Sequence, residues 1–329
     1  MQMKAVLCKS LDGPEALEVA DIEVPKPDKG EVLVRISACA LNFMDTLVTR
    51  GKYQYKPELP FSPSGEICGT VEALGKGAER LKQGERVMGY IGWGGAREFA
   101  VVPEDRLVPV PDGVSDAVAA GLSITYGTAL HGLRDRAQLA AGETLAVLGA
   151  SGGAGLAAVE IGRLLGAHVI AVASSDEKLA VCRDNGAEFT LNYKTTDLRT
   201  GLKDLTGGKG VDVVYDCVGG DHAEAAVRAT AWNGRFLVVG FASGDIPKLP
   251  LNLLLLKGCA ALGVFWGRSV DEDASRYREN MALLMNWVHQ GQLTPRIDKT
   301  LPLTDVHEGL RMLTNRSATG KIVLVPAQG

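Results

Sequence analysis

A regular alternation of strand-like and helix-like segments in the middle of the chain limits the fold that it can adopt. The apolar runs TLAVL at 144–148 and VIAVA at 169–173 are each followed by an amphipathic segment, and these segments end at Gly166 and Gly186. Strands that alternate with helices form a parallel sheet with helices on both faces. The sequence therefore predicts a doubly wound parallel α/β domain over residues 121–266.

The same alternation continues towards the end of this region. VDVVYDCVG at 211–219 is predicted as a strand, HAEAAVRATAWNG at 222–234 as a helix and GRFLVVGF at 234–241 as the next strand. Residues 1–120 differ, because their short alternating runs are broken repeatedly by Gly and Pro. That pattern is typical of a mostly antiparallel β-domain.

Composition and cysteine spacing narrow the class of protein. Charged residues make up 22% of the 329-residue chain, the net charge is −4 and aromatic residues are 5%. These values give no reason to expect nucleic acid or an anionic membrane as a partner. The six cysteines are far apart without a CxxC pair, the N-terminal segment lacks a signal-peptide pattern, and no apolar stretch is long enough to span a membrane. The sequence thus predicts a cytoplasmic protein in a reducing compartment.

The turn Gly149–Gly155 lies between the first predicted strand and helix of the α/β region and matches an AxGxxG dinucleotide-binding pattern. Gly152 would let the backbone approach a pyrophosphate, and Gly155 would let the helix pack closely on the strand. The helix start at Gly153 and Ala154 would supply free amides and the positive end of the helix dipole. The alternative is a tight strand-to-helix turn without a ligand, but the complete strand, turn, helix and strand order favours a nucleotide.

The end of the second strand of this region points to one nicotinamide cofactor. An acid at that position binds the ribose hydroxyl of NAD and would repel the 2′-phosphate of NADP, but here the residue is Ala173. Ser174, Ser175 and Lys178 follow it and could bind a phosphate through hydroxyls and a cation. The same residues also resemble an ordinary helix N-cap, and Asp176 brings a negative charge close by. The two interpretations are compatible, and NADPH is the predicted cofactor.

Several segments together resemble the medium-chain dehydrogenase/reductase superfamily, and within it the zinc-free quinone oxidoreductases. The resemblance covers essentially the whole chain, and the segments that carry it are ACALNFMDTLVTRGKY, YGTAL, GASGGAGLAAVEIGRLLGA, GVDVVYDCVGG, GRFLVVGFASG and ATGKIVLVP. It implies a Rossmann-type doubly wound domain over 121–266 and a mostly β, GroES-like catalytic domain formed by 1–120 and 267–329. It also implies a homodimer, for which the edge strand in GCAALGVFW is the expected contact.

The zinc ligands of the superfamily's alcohol dehydrogenases are mostly missing. By the resemblance, the position of the ligating Cys is Asn42 and the position of the His-Glu pair is Gly65-Glu66. The four-cysteine structural zinc lobe is also absent between residues 80 and 110. A catalytic zinc needs three protein ligands and an open fourth position, so the sequence predicts no metal.

The resemblance also assigns roles to individual residues. Asn42 and Thr128 are expected at the nicotinamide end of the active site, and Tyr53 beside the substrate, where it could donate to a developing oxyanion or serve as a hydrophobic wall. Tyr193 is expected to close over the 2′-phosphate together with Lys178. Further cofactor contacts are expected from Val218, from Gly240 and Phe241 at the end of their strand, and from Val264, Phe265 and Trp266 in the following strand. For the aromatic pair Phe265 and Trp266, packing in a core between the domains is the alternative. Lys321 is expected at the cofactor or in a surface salt bridge.

These features predict a particular chemistry. Without a Lewis acid, an alcohol is not readily converted to an alkoxide, whereas quinones and conjugated enones already carry an electrophilic carbon. We therefore expect an NADPH-dependent reductase of quinones or other activated α,β-unsaturated carbonyls, acting on a small-molecule substrate. The alternatives are a reductase of enals or acryloyl thioesters, a non-catalytic NADPH-binding protein, and a zinc alcohol dehydrogenase.

Overall fold

The computed structural model describes residues 1–327 and divides them into two compact units. The first unit comprises Met1–Gly127 and the described residues from Gly267 onward, and the second comprises Thr128–Trp266. Residues 121–127, which the sequence analysis placed in the α/β domain, lie with the first unit. No described helix is long and apolar enough to cross a membrane.

Fifteen strands are present in the described part of the chain. In chain order they are β1 (Gln2–Cys8), β2 (Leu17–Glu23), β3 (Glu31–Leu41), β4 (Glu66–Leu74), β5 (Arg86–Tyr90), β6 (Phe99–Pro103), β7 (Leu107–Pro109), β8 (Thr144–Leu148), β9 (His168–Ala173), β10 (Phe189–Asn192), β11 (Val211–Asp216), β12 (Thr230–Val238), β13 (Ala260–Gly263), β14 (Ile297–Pro302) and β15 (Lys321–Val325).

The same residues form eleven α-helices. They are α1 (Phe43–Val48), α2 (Asp116–Ala120), α3 (Ser123–Leu130), α4 (Gly153–Leu164), α5 (Asp176–Asp184), α6 (Leu198–Leu205), α7 (His222–Ala229), α8 (Leu251–Lys257), α9 (Trp266–Glu272), α10 (Ala274–His289) and α11 (Val306–Thr314).

The second unit contains a six-stranded sheet in the order β10-β9-β8-β11-β12-β13. All neighbouring strands are parallel, and the order corresponds to 3-2-1-4-5-6, which is that of dinucleotide-binding folds. In such a sheet the ligand site lies outside the carboxyl ends of the two central strands, here β8 and β11. The predicted parallel α/β fold is confirmed, and β13 is an edge strand as expected.

One predicted boundary in this unit is wrong. The helix predicted over 222–234 ends at Ala229, and β12 begins at Thr230. Thr230 pairs with Val211 in the sheet, and its hydroxyl donates to the Ala226 carbonyl of the preceding helix. The helix-like periodicity of the sequence continues past Ala229, but the backbone from Thr230 onward pairs with β11 and forms a strand.

The first unit is built around the long strand β3. Antiparallel partners β4, β6 and β15 pair with it, β5 and β7 continue beyond β4, and the pair β14-β15 is parallel. A buried apolar cluster lies on this sheet and includes Val32, Val34, Ile67 and Leu324. The mostly antiparallel β architecture is thus confirmed, and the sheet brings the ends of β3, β4 and β15 together.

Candidate functional site

The glycine turn after β8 has the geometry that a nucleotide site requires. Gly149 has a positive φ of 73°, and a Cβ on Gly155 would lie 2.2 Å from the Gly149 carbonyl oxygen, so only glycine lets α4 start this close to the turn. A Cβ on Gly152 would meet nothing closer than 3.6 Å. The surrounding protein therefore does not fill the space above Gly152, and α4 begins there without a side-chain cap. Free first-turn amides of this kind bind a phosphate group.

Val218 lies directly beside this turn. A Cβ on Gly149 would be 2.6 Å from Val218 Cγ2. The loop that carries Val218 is held by the buried Asp216 carboxylate, whose Oδ1 accepts hydrogen bonds from the Val218 and Gly219 amides at 2.8 and 2.9 Å. Burial raises the pKa of Asp216, although these two amides partly offset the effect. The loops after β8 and β11 thus meet at the centre of the parallel sheet.

The segment after β9 combines a helix cap with a cation that has no partner in the described part of the chain. Ser175 is the N-cap of α5, and its hydroxyl accepts the Lys178 amide at 3.4 Å. A hydrogen bond with Ser175 also lowers the pKa of Glu177. Within residues 1–327, neither the Ser174 hydroxyl nor the Lys178 ammonium has a hydrogen bond or an ion pair. The capping interpretation holds for Ser175, while Ser174 and Lys178 remain available to a phosphate.

Asp176, whose negative charge argued against NADPH, accepts a hydrogen bond from another side chain. Asn192 at the end of β10 donates from Nδ2 to Asp176 Oδ1 at 3.0 Å. The next residue, Tyr193, packs its ring against His222 at the start of α7, with centroids 4.4 Å apart. The His222 contact could not be foreseen, because the two residues belong to different strand-helix units of the sequence.

Five further residues that were expected at the cofactor follow strands rather than occupying them. Gly240 and Phe241 lie beyond the end of β12 at Val238, so their predicted place at the end of a strand is wrong. Val264 and Phe265 likewise follow β13, and Trp266 begins α9. Loops after the carboxyl ends of parallel strands are the usual place for ligand contacts.

A buried polar cluster in the first unit joins three strand ends. Ala40 at the end of β3 pairs with Glu66, and Leu41 pairs with Ile322 of β15. These pairings bring together the side chains that we call the Glu66 cluster, namely Asn42, Glu66 and Lys321. Lys321 Nζ lies 2.6 Å from Glu66 Oε1 and 2.7 Å from Asn42 Oδ1, and the Lys321 and Glu66 side chains are only 3% and 0% exposed. The surface salt bridge considered for Lys321 is therefore a buried one.

The bonding of this cluster fixes what each group can do. Asn42 Nδ2 donates to Glu66 Oε1 at 2.8 Å and more weakly to the Ala40 carbonyl at 3.4 Å, and Glu66 Oε2 accepts the Ile124 amide at 2.7 Å. Both amide protons of Asn42 are therefore in use. The Asn42 carbonyl oxygen already accepts from the Lys321 ammonium, and the side chain has no free proton with which to stabilise an oxyanion.

Asp45 and Ser64 support the cluster and were not foreseen from the sequence. The Asp45 carboxylate accepts the Asn42 and Ser64 amides at 2.7 and 2.8 Å. Burial raises the pKa of Asp45 to about 6, against the lowering effect of those two amides. The Ser64 hydroxyl donates to the Ala40 carbonyl at 2.9 Å. The only signal in the sequence was the position of Asp45, three residues after an Asn that could cap a helix.

The residues present do not fit a zinc ion. At Gly65, where the superfamily's zinc enzymes have a His, a Cβ would lie 2.5 Å from the Gly92 carbonyl oxygen, so no side chain fits there. Glu66 is already bound by an ammonium and an amide, and burial raises the pKa of the nearby Cys39 thiol to about 12. Within residues 1–327, no three His, Cys, Asp or Glu side chains come together in a way that could hold a metal.

Tyr53 begins a row of aromatic rings in the first unit. Its ring centroid is 5.8 Å from that of Tyr55, which is 6.3 Å from that of Trp93. Burial raises the pKa of Tyr53 to about 12, so its hydroxyl stays protonated and could donate a hydrogen bond. Thr128, the last of the expected catalytic residues, lies half-buried in α3 at the start of the second unit.

Comparisons with known proteins agree with this architecture. Residues 28–112 match the alcohol dehydrogenase GroES-like domain family, and residues 153–286 match the zinc-binding dehydrogenase family. The chain is 39% identical to the quinone oxidoreductase-like protein 2 homolog of Nematostella vectensis, over 98% of this chain and 88% of that protein.

Two solved structures are similar over almost their full length. The quinone oxidoreductase of Pseudomonas syringae has a TM-score of 0.92 and 33% identity, covering 98% of this chain and 100% of that one. A mycobacterial protein solved in complex with NADPH has a TM-score of 0.91 and 30% identity, with the same coverage. The protein is an oxidoreductase of the medium-chain dehydrogenase/reductase superfamily with a nicotinamide-nucleotide domain. Within that superfamily it belongs to the quinone oxidoreductase branch.

Proposed function

We propose that the protein uses NADPH to reduce quinones or other activated α,β-unsaturated carbonyls, without a metal. The observation that carries the proposal is the bonding of Glu66, whose carboxylate is neutralised by Lys321 instead of a zinc ion. A site without a Lewis acid is suited to acceptors whose carbon is already electrophilic. Enals and acryloyl thioesters belong to the same chemical class and are the alternative substrates. The quinone oxidoreductase names of several relatives favour quinones.

The chain's own groups have separable roles in this reaction. NADPH, when bound, supplies the hydride. The first-turn amides of α4 at Gly153 and Ala154 bind the pyrophosphate, and Lys178 binds the 2′-phosphate. Tyr53 either donates its proton to a hydrogen bond with the developing oxyanion or forms an apolar wall, and its raised pKa keeps the phenol neutral in both roles.

The assignment of NADPH rests on charge at the end of β9. No carboxylate stands at Ala173, the Lys178 ammonium has no partner among the described residues, and Asp176 is bonded to Asn192. A 2′-phosphate would satisfy the unpaired ammonium, whereas the ribose hydroxyl of NADH would not. The mycobacterial relative solved with NADPH supports the same choice.

A steady-state panel tests the proposed reaction. NADPH oxidation is measured with a quinone, an enone, an enal and an acryloyl thioester, and we expect the quinone or the enone to give the highest kcat/KM. Highest turnover with the enal or the thioester would select the alternative substrates. Tight NADPH binding without turnover of any acceptor would contradict an enzymatic role and favour a non-catalytic NADPH-binding protein.

We also propose a homodimer that forms through β13 and α8. β13 is the edge strand of the second unit's sheet, and α8 packs against the neighbouring strand β12. The α8 helix has an exposed apolar surface, where Leu251, Leu255 and Leu256 are 76%, 79% and 70% exposed. An open strand edge beside exposed leucines is suited to pairing with a second copy. A reducing, cytoplasmic location stays a prediction, based on the dispersed cysteines.

Light scattering after gel filtration tests the dimer. The native protein is expected at about twice 34.8 kDa, and Leu255→Glu at the mass of a single chain. Leu205→Glu is the matched control, because Leu205 is an exposed leucine of the same unit on α6. A monomeric native protein, or a Leu255→Glu variant that remains a dimer, would contradict this interface.

A further inference from the structure

Arg97 carries a half-buried guanidinium that has no partner among the described residues. Its Nε is buried and finds no hydrogen-bond acceptor within residues 1–327. No hydrogen bond or ion pair joins the rest of the guanidinium to another group within residues 1–327. Desolvation lowers the pKa of this group. Removing part of a charged group from water without a partner is unfavourable to the folded protein, and an anionic group on a ligand could pair with this guanidinium.

The Arg97 guanidinium lies close to Gly94, in the loop formed by residues 92–95. Gly94 has a φ of 98°, and a Cβ there would be 2.8 Å from Arg97 Nη2 and 3.5 Å from Cζ. The loop is anchored to the segment that leads into β4, because the Gly94 and Gly95 amides donate to the Ser62 and Ser64 carbonyls at 2.7 and 2.9 Å. Ser64 also belongs to the surroundings of the Glu66 cluster, so the loop shares its support with the candidate site.

The same loop carries an exposed aromatic ring. Trp93 is 41% exposed and lies next to Tyr55 in the row of rings that begins at Tyr53. The sequence GWGG at 92–95 is compatible both with the border of an active site and with an ordinary glycine-rich turn. An aromatic surface and an unpaired guanidinium on one short loop are suited to a planar molecule that bears an anionic group.

We propose that Arg97 binds a carboxylate or sulfonate group on the substrate, whose planar body packs against Trp93 and Tyr55. A guanidinium presents parallel donors that match the two oxygens of such a group. This proposal names the substrate class of the site and in that respect rests on the proposed function. Its consequence is a preference for anionic over neutral aromatic acceptors.

Calorimetric titration tests the proposal without turnover. The probes are 2-naphthoate and its neutral analogue 2-naphthamide, and we expect the native protein to bind the naphthoate at least tenfold more tightly. Arg97→Gln is expected to abolish this preference. Arg35→Gln is the control, because Arg35 is an exposed arginine of the same unit and pairs with Glu72. This variant is expected to keep the preference for the naphthoate. Equal affinity of the native protein for both probes would overturn the proposal.

Two further measurements distinguish an anion-binding Arg97 from an Arg97 that only stabilises the fold. Arg97→Gln is expected to leave the melting temperature unchanged or raise it, because it removes an unpaired charge. A fall of several degrees would reveal a structural partner and overturn the proposal. In turnover, the ratio of kcat/KM for 1,4-naphthoquinone-2-sulfonate to that for 1,4-naphthoquinone should fall at least tenfold in Arg97→Gln. If neither quinone is reduced, the proposed function fails, while the titration still decides the role of Arg97.

Discussion

Replacing Lys321 with methionine is expected to lower the free energy of unfolding by about 3–5 kcal/mol, because it leaves a buried carboxylate without its cation. Glu66 is fully buried and has Lys321 as its ion-pair partner. The variant also removes the donor that orients the Asn42 amide. Urea denaturation followed by circular dichroism measures the change.

Two comparisons isolate the buried charge in that experiment. Lys299→Met breaks an exposed ion pair in which the Lys299 and Glu308 side chains are 45% and 43% exposed. This variant should lower the free energy of unfolding by about 0–1 kcal/mol. The double variant Lys321→Met/Glu66→Gln carries neither charge and should recover most of the loss. A Lys321→Met variant as stable as Lys299→Met would show that the Glu66 cluster does not depend on this ammonium.

Replacing Lys178 with alanine is expected to weaken NADPH binding by about 1.5–3 kcal/mol and to change NADH binding little. The reason is that only NADPH carries the 2′-phosphate to which a charge-assisted bond from this ammonium would be lost. Titration of both cofactors against both proteins measures the effect directly.

A distant lysine controls for the loss of positive charge. Lys209 is exposed on the second unit, outside the segment after β9, and Lys209→Ala should leave both cofactor affinities nearly unchanged. If Lys178→Ala weakened NADPH and NADH equally, Lys178 would not be a 2′-phosphate ligand. The N-cap interpretation of this segment would then be sufficient.

Local signals in the sequence were enough to predict the fold of the second unit. The glycines of the 149–155 turn and the β-branched runs report on backbone geometry and on burial within a few residues, and both follow from short-range sterics. The exact ends of elements depend on pairing with distant strands. For that reason the helix predicted through residue 234 gave way to β12 at Thr230.

The Glu66 cluster shows what local reasoning cannot supply. Glu66 and Lys321 are 255 residues apart in sequence, and they meet because β4 and β15 both pair with β3. The sequence indicated that Asn42 and Gly65 replace metal ligands, but not that a lysine would bind the remaining carboxylate. The Arg97 guanidinium could not be identified from the sequence either, because only the three-dimensional structure shows that it has no partner within residues 1–327.

We propose that this oxidoreductase transfers a hydride from NADPH without a metal. The rate of 1,4-naphthoquinone reduction tests this claim when the protein has been treated with a chelator and is assayed with NADPH or NADH. We expect full activity after chelation and a higher kcat/KM for NADPH than for NADH. Activity that is lost on chelation and restored by zinc, or a preference for NADH, would contradict the claim.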